Sequence, residues 1–125
     1  MSELHQGGCY CGQFRYVITG SIESAGLCHC GNCRKAIGAQ AVAWVLMKKD
    51  VFEVLQGSLH RYKTETGAWR GFCPQCGSSV SYESPKREDE IDITTGTLDD
   101  PNVFPPKWDA FDDEKLTWVL KVGEE

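Results

Sequence analysis

The chain has 125 residues, of which 25% are charged and 41% apolar, an ordinary globular balance with enough material for one domain and a sizeable core. A net charge of −5, with no stretch dense in Lys or Arg, argues against nucleic acid or an acidic membrane surface as the main partner. No apolar run reaches membrane-spanning length, and Met1 to Gly8 is polar without the basic and apolar regions of a secretory leader, so a cytoplasmic protein is expected.

Residues 13–19 alternate, with Phe14, Tyr16 and Ile18 on one face and Gln13, Arg15 and Thr19 on the other, which predicts a strand ended by Gly20. A second strand over Glu23 to Leu27 should deliver Cys28 at its end. Asn32 to Ile37 has room for one or two helical turns before Gly38. Ala41 to Met47 reads as a buried strand, followed by a turn at Lys48-Lys49-Asp50. Val51 to Leu55 and Leu59 to Lys63 read as a strand pair joined at Gln56-Gly57-Ser58. Ala68 to Phe72 leads into Cys73, and Val80 to Glu83 leads away from the cysteine pair there. Pro85 to Glu90 is a charge run, most simply a solvated loop tip. Ile91 to Thr95 alternates, Pro101, Pro105 and Pro106 make the next stretch irregular, and Leu116 to Val122 is expected to form a last strand around Trp118 and Leu120. Many short strands with little helix predict a mainly β, antiparallel fold in a single domain over residues 1–125.

All seven cysteines fall into three tight clusters: Cys9-Tyr-Cys11, Cys28-His-Cys30-Gly-Asn-Cys33 and Cys73-Pro-Gln-Cys76. An odd number suits a reduced protein better than a fully paired disulfide framework. Zinc takes soft or borderline ligands at tetrahedral corners, with sulfur at about 2.3 Å. The outer pairs supply four thiolates, and the glycine after each second cysteine, Gly12 and Gly77, permits the left-handed backbone of a metal knuckle. A zinc shared by Cys9, Cys11, Cys73 and Cys76 would tie the start of the chain to its centre. Such structural sites are worth on the order of 10–16 kcal/mol of apparent binding free energy, most of it expressed as folding.

The remaining trio, Cys28, Cys30 and Cys33, makes a site with one corner open, the pattern of a catalytic zinc with three protein ligands. Three thiolates make the metal a poor Lewis acid. Such a centre is better suited to holding an incoming thiol as a thiolate than to splitting water. His29 is the one neighbour able to close the site. On an extended segment its side chain should point opposite to those of Cys28 and Cys30. Arg34 and Lys35 are the nearest cations for a substrate's carboxylates, Arg70 is another, and each is equally read as an ordinary exposed charge. His5 and His60 are read as surface or hairpin residues, and the four tryptophans as core or rim packing. No residue stands out as general acid or base. Two readings from other classes stay open: a non-catalytic zinc-binding β module for protein interaction, and a thiol redox switch.

Across Gly7-Gly8-Cys9-Tyr-Cys11-Gly12 with Arg15-Tyr16, Cys28-His-Cys30-Gly-Asn-Cys33-Arg34-Lys35, Gly71-Phe72-Cys73-Pro-Gln-Cys76-Gly77-Ser78, the segment from Ile91 to Pro101, and Trp118, the chain resembles the glutathione-dependent formaldehyde-activating enzyme family, which includes centromere protein V. The resemblance covers nearly the whole chain. It implies a zinc-stabilised β-tent, a structural zinc on Cys9, Cys11, Cys73 and Cys76, and a catalytic zinc on Cys28, Cys30 and Cys33. The implied activity is carbon–sulfur lyase chemistry, the condensation of glutathione with formaldehyde to S-hydroxymethylglutathione. One departure is visible: Lys107 to Phe111 lacks a histidine that many members carry there, with Asp109 roughly in its place.

Overall fold

The computed structural model describes residues 4–124 and is mainly β. In chain order its elements are β1 (His5–Gly8), β2 (Arg15–Ile18), β3 (Ser24–Cys28), α1 (Gly31–Ile37), β4 (Val42–Lys48), β5 (Phe52–Gln56), β6 (His60–Lys63), β7 (Trp69–Phe72), β8 (Ser79–Glu83), β9 (Glu90–Thr94) and β10 (Asp109–Ala110). Short 3-10 turns cover Lys49–Val51, Thr95–Thr97, Pro101–Val103 and Asp112–Glu114.

Two sheets result: a three-stranded one ordered β1-β2-β5, and a seven-stranded one ordered β10-β3-β4-β9-β8-β7-β6. Neighbouring strands run antiparallel, except that β10 lies parallel to β3. The period-two pattern of β2 is realised in the core. Phe14, Tyr16 and Ile18 are buried together with Val45, Met47, Val80 and Ile93 from the larger sheet. Full burial of side chains of this size is worth about 1.5–3 kcal/mol each. The sheets are also joined by polar contacts. Tyr16 Oη meets Thr97 Oγ1 at 2.8 Å, and Arg15 grips Asp99 through two hydrogen bonds of 3.0 and 2.6 Å.

The helix α1 is too short to persist alone in water. Its ends explain where it sits. Cys30 is the N-cap, its Sγ accepting from the Cys33 amide at 3.3 Å, and Gly38 closes the other end at φ 75° with its amide on the Arg34 carbonyl.

Three expectations are corrected. The segments Val51 to Leu55 and Leu59 to Lys63 are extended but do not pair: β5 joins β2, with Tyr16 opposite Val54, whereas β6 joins β7. Gln56-Gly57-Ser58 is therefore a passage between sheets, anchored by Gln56 Nε2 on the Gly12 and Gln13 carbonyls. Turn signals report a change of direction, not which partner the next strand finds. Leu116 to Val122 forms turns rather than a strand, with Trp118 and Leu120 exposed and Val119 buried. The free side of β3, where a last strand would dock, is taken by β10. The charge run from Pro85 to Glu90 is not wholly solvated, since Arg87 turns inward to bind Asp92 on β9 with bonds of 3.0 and 2.9 Å. Burial pushes the Asp92 carboxyl up from its usual range, and Arg87 opposes that rise.

A Cβ added at Gly7 would lie 2.3 Å from the Tyr16 hydroxyl and 2.4 Å from the Thr97 carbonyl oxygen, both part of the join between the sheets. Gly7→Ala should destabilise the protein by about 1–3 kcal/mol, the usual penalty for overpacking, read as a lower urea midpoint at unchanged m-value. An unchanged midpoint would show that this join is not close-packed in solution.

Candidate metal centres

The first centre is built where two turns meet. Cys9 and Cys11 occupy the turn after β1, and Cys73 and Cys76 the turn between β7 and β8. Within the first turn the Phe14 amide donates to Cys9 Sγ at 3.3 Å and the Gly12 amide to the Cys9 carbonyl at 3.1 Å. Within the second, the Gly77 amide donates to the Cys73 carbonyl at 2.8 Å. Both glycines adopt the left-handed backbone, at φ 83° for Gly12 and 82° for Gly77. Ser78 joins the turns: its Oγ accepts from the Tyr10 amide at 2.9 Å and lies 3.2 Å from Cys76 Sγ. The Ser78 hydroxyl is the main reason that the Cys76 thiol is held down to about 5.

The four sulfurs lie within 4.8 Å of one another. Cys9 to Cys11 is 3.6 Å and Cys11 to Cys73 is 3.8 Å. A tetrahedron with metal–sulfur bonds of about 2.3 Å has an edge of about 3.8 Å, so the donor set fits a metal of zinc's size. A disulfide, at about 2.05 Å, is excluded at these separations.

The second centre gathers Cys28, Cys30 and Cys33, their sulfurs also within 4.8 Å of one another. Cys28 ends β3, Cys30 caps α1 and Cys33 lies in its first turn. The Cys28 thiol donates to Cys30 Sγ at 3.4 Å. Among the described residues no other His, Cys, Asp or Glu joins this group. His29 points away, fully buried, with Nε2 2.7 Å from Asp109 Oδ1. The sulfurs divide the available protons unequally. Hydrogen bonding to Cys28 in first place, with help from Arg70 and against burial, holds the Cys33 thiol down to about 5. The same contact with Cys33, and then burial, pushes Cys28 well above the usual thiol range. A bound cation would relieve this competition, which is the sense in which the trio fits a metal.

Arg70 links this centre to a cavity of about 540 Å³. Its Nη2 lies 3.6 Å from Cys33 Sγ, and its guanidinium stacks over the Tyr82 ring at 4.8 Å. Arg70 and Tyr82 line the cavity with Lys35, Trp44, Tyr62 and Glu65. Lys35 thus faces the space beside the trio. Arg34 is outside the cavity wall, its Nε donating to the His29 carbonyl at 3.3 Å. Asp109 was visible in the sequence only as a departure from a pattern, and its contact with His29 depends on the pairing of β10 with β3, for which two residues carry no periodic signal.

The comparisons with known proteins agree with this architecture. A crystal structure of a Rhodobacter sphaeroides protein superposes with a TM-score of 0.63, at 23% identity over 75% of this chain and 87% of that one, and so shares its fold. No curated protein matches the chain. The family described as glutathione-dependent formaldehyde-activating enzyme matches residues 4–114, which takes in both cysteine centres, the cavity and Asp109. With its cysteine groups assembled and nearly its full length matched, the chain belongs to the glutathione-dependent formaldehyde-activating enzyme family.

Proposed function

We propose that this chain is a single-domain, zinc-dependent enzyme of the carbon–sulfur lyase type, which forms or cleaves a thiol–aldehyde adduct such as S-hydroxymethylglutathione. Zinc held by Cys9, Cys11, Cys73 and Cys76 is structural in this reading, and Cys28, Cys30 and Cys33 hold the catalytic ion. The observation that carries the reading is an incomplete set of three sulfur donors linked through Arg70 to a cavity of about 540 Å³, a volume typical of small-molecule sites. Family membership supports the same substrate pair.

In the forward direction the thiol sulfur bonds to the aldehyde carbon, the carbonyl π bond opens, and the thiol's proton ends on the former carbonyl oxygen. The reverse breaks the carbon–sulfur bond and regenerates both partners. Zinc at the trio would supply a position at which an incoming thiol is stabilised as a nucleophilic thiolate. The chain's own contribution is positioning. Lys35 and Arg70, both in the cavity wall, are the proposed contacts for the thiol's carboxylates, and Glu65 across the same space suits an ammonium group. Trp44, Tyr62 and Tyr82 supply the apolar and aromatic surface that orients the rest of the ligand. Arg34, the other cation of α1, acts in this reading through its bond to the His29 carbonyl, steadying the ligand-bearing segment.

Two experiments test this. Wild type and Cys30→Ser, purified under reducing conditions, should contain about two and one zinc per chain respectively by elemental analysis. Exchange NMR with glutathione and formaldehyde should show adduct formation faster than the uncatalysed background in wild type alone. Equal exchange with both proteins would refute the enzymatic reading. A module that only binds a protein, for which exposed Phe111, Trp118 and Leu120 offer surface, predicts full zinc content with no acceleration.

Arg70 lowers the Cys33 thiol's pKa, so its removal raises that pKa and shrinks the thiolate fraction below it. In metal-free protein Arg70→Ala should slow alkylation of Cys33 at and below about pH 5, where the thiolate is only partly formed, and leave it unchanged at alkaline pH, where the thiolate is fully formed in both proteins. Site-resolved mass spectrometry reads this directly. An identical pH profile in both proteins would show that the 3.6 Å contact has no electrostatic consequence.

A further inference from the structure

We infer that Asp109 is a positioning residue for the three-cysteine centre, acting through the His29 ring from a clasp that the end of the chain forms around residues 25–31. The inference rests on the trio being a metal site and does not depend on turnover.

The clasp is continuous along the ligand-bearing segment. The Lys107 amide donates to the Ala25 carbonyl at 2.8 Å, the Leu27 amide to the Trp108 carbonyl at 2.9 Å, and the His29 amide to the Ala110 carbonyl at 3.0 Å. Glu114 Oε1 then accepts from the Gly31 amide at 2.9 Å. The Trp108 indole lies over Gly26, where a Cβ would come within 2.4 Å of its ring, and its Nε1 donates to Ser24 Oγ at 2.6 Å. Backbone bonds thus fix the path of β3 into the trio but leave the rotation of the Cys28 and Cys30 side chains to be set by other means.

His29 sets it. The residue lies between the two ligands, so with its ring held on one side of the extended backbone, their sulfurs are directed to the other. The ring is fully buried and its Nδ1 has no partner among the described residues. Asp109 Oδ1, 2.7 Å from Nε2, is thus the polar contact that keeps the ring in place. Asp109 is itself held, since its Oδ2 accepts from the Val122 amide at 3.0 Å. A buried ring deprived of this acceptor would leave both nitrogens unsatisfied, which favours its reorientation and loosens the sulfurs on either side. The residue at the position where the family resemblance raised a departure therefore faces the support of the metal centre, not the cavity.

The test is competition with a zinc chelator on fully loaded protein, with Cys30→Ser identifying the release phase that belongs to the trio. Asp109→Ala should weaken the trio site by about 10-fold or more, the range seen when outer-shell support of metal ligands is lost, and leave the four-cysteine site unchanged as an internal control of folding. Asp109→Asn, whose one side-chain oxygen can accept from Nε2 or from the Val122 amide but not from both, should fall between Asp109→Ala and wild type. The double variant His29→Leu, Asp109→Leu leaves no unsatisfied nitrogen at position 29 to drive reorientation, so it guards against a folding failure and should lose less trio affinity than Asp109→Ala. Equal affinity in Asp109→Ala and wild type, or parallel weakening of both sites, would each overturn the inference. Absence of a trio release phase in wild type would instead refute the metal reading on which it rests.

Discussion

Crowded sulfur is the constraint from which the rest of this structure follows. At separations of 3.6–3.8 Å, thiolates repel strongly: two unit charges about 4 Å apart interact with about 4 kcal/mol at an effective dielectric constant of 20. Four sulfurs therefore stay together as protonated thiols that share hydrogen bonds, or as thiolates around a cation. Their backbones fit the second arrangement, because the left-handed Gly12 and Gly77 and the amide of Phe14 shape turns that bring the sulfurs together. The turn after β1 and the turn between β7 and β8 come from different sheets. A metal at this point would fasten the two sheets at one end, while the Tyr16–Thr97 and Arg15–Asp99 contacts join them elsewhere.

The three-sulfur centre uses the same element in a different mechanical setting. Its ligands lie on one short continuous segment that passes from a strand end into a helix cap, and Cys30 is both a sulfur donor and the residue that starts the helix. Local order there comes from neighbours: β4 on one side of β3, the clasp of β10 on the other, and Arg70 reaching in from β7. Arg70 is notable because it touches Cys33 and the Tyr82 ring and also forms part of the cavity wall. A charge bound in that cavity would therefore be felt at the sulfur, which gives a physical route from ligand binding to the electronic character of the centre.

The cations show how fold assigns different tasks to similar side chains. Arg34 and Lys35 are adjacent on α1, yet a helix turns by about 100° per residue, so one reaches the His29 carbonyl and the other the cavity. Arg70 comes from a distant strand and joins Lys35 in the same wall. Arg87, in a charge run that suggests a solvated loop, is drawn inward by a buried carboxylate on β9. Adjacency in sequence did not distinguish Arg34 from Lys35, nor did it place Arg87.

What the sequence determined by itself was whatever depends on spacing along the chain. The alternation of Phe14, Tyr16 and Ile18 located one buried strand because side-chain direction on a strand follows from the period of two, and the continuous apolar stretch of β4 located another. The paired cysteines with their glycines identified knuckles, and the placing of His29 between Cys28 and Cys30 foretold that it would turn from the sulfurs. Tertiary structure alone decided which strands pair, and so the passage of β5 and β6 into separate sheets, the parallel docking of the two-residue β10, and the exposure of Trp118 and Leu120. It also decided that Asp109 meets His29 and that Arg70 meets Cys33. Those contacts join residues 80 and 37 positions apart, and no local propensity encodes them, because they are set by which edges and faces remain available once the sheets have closed.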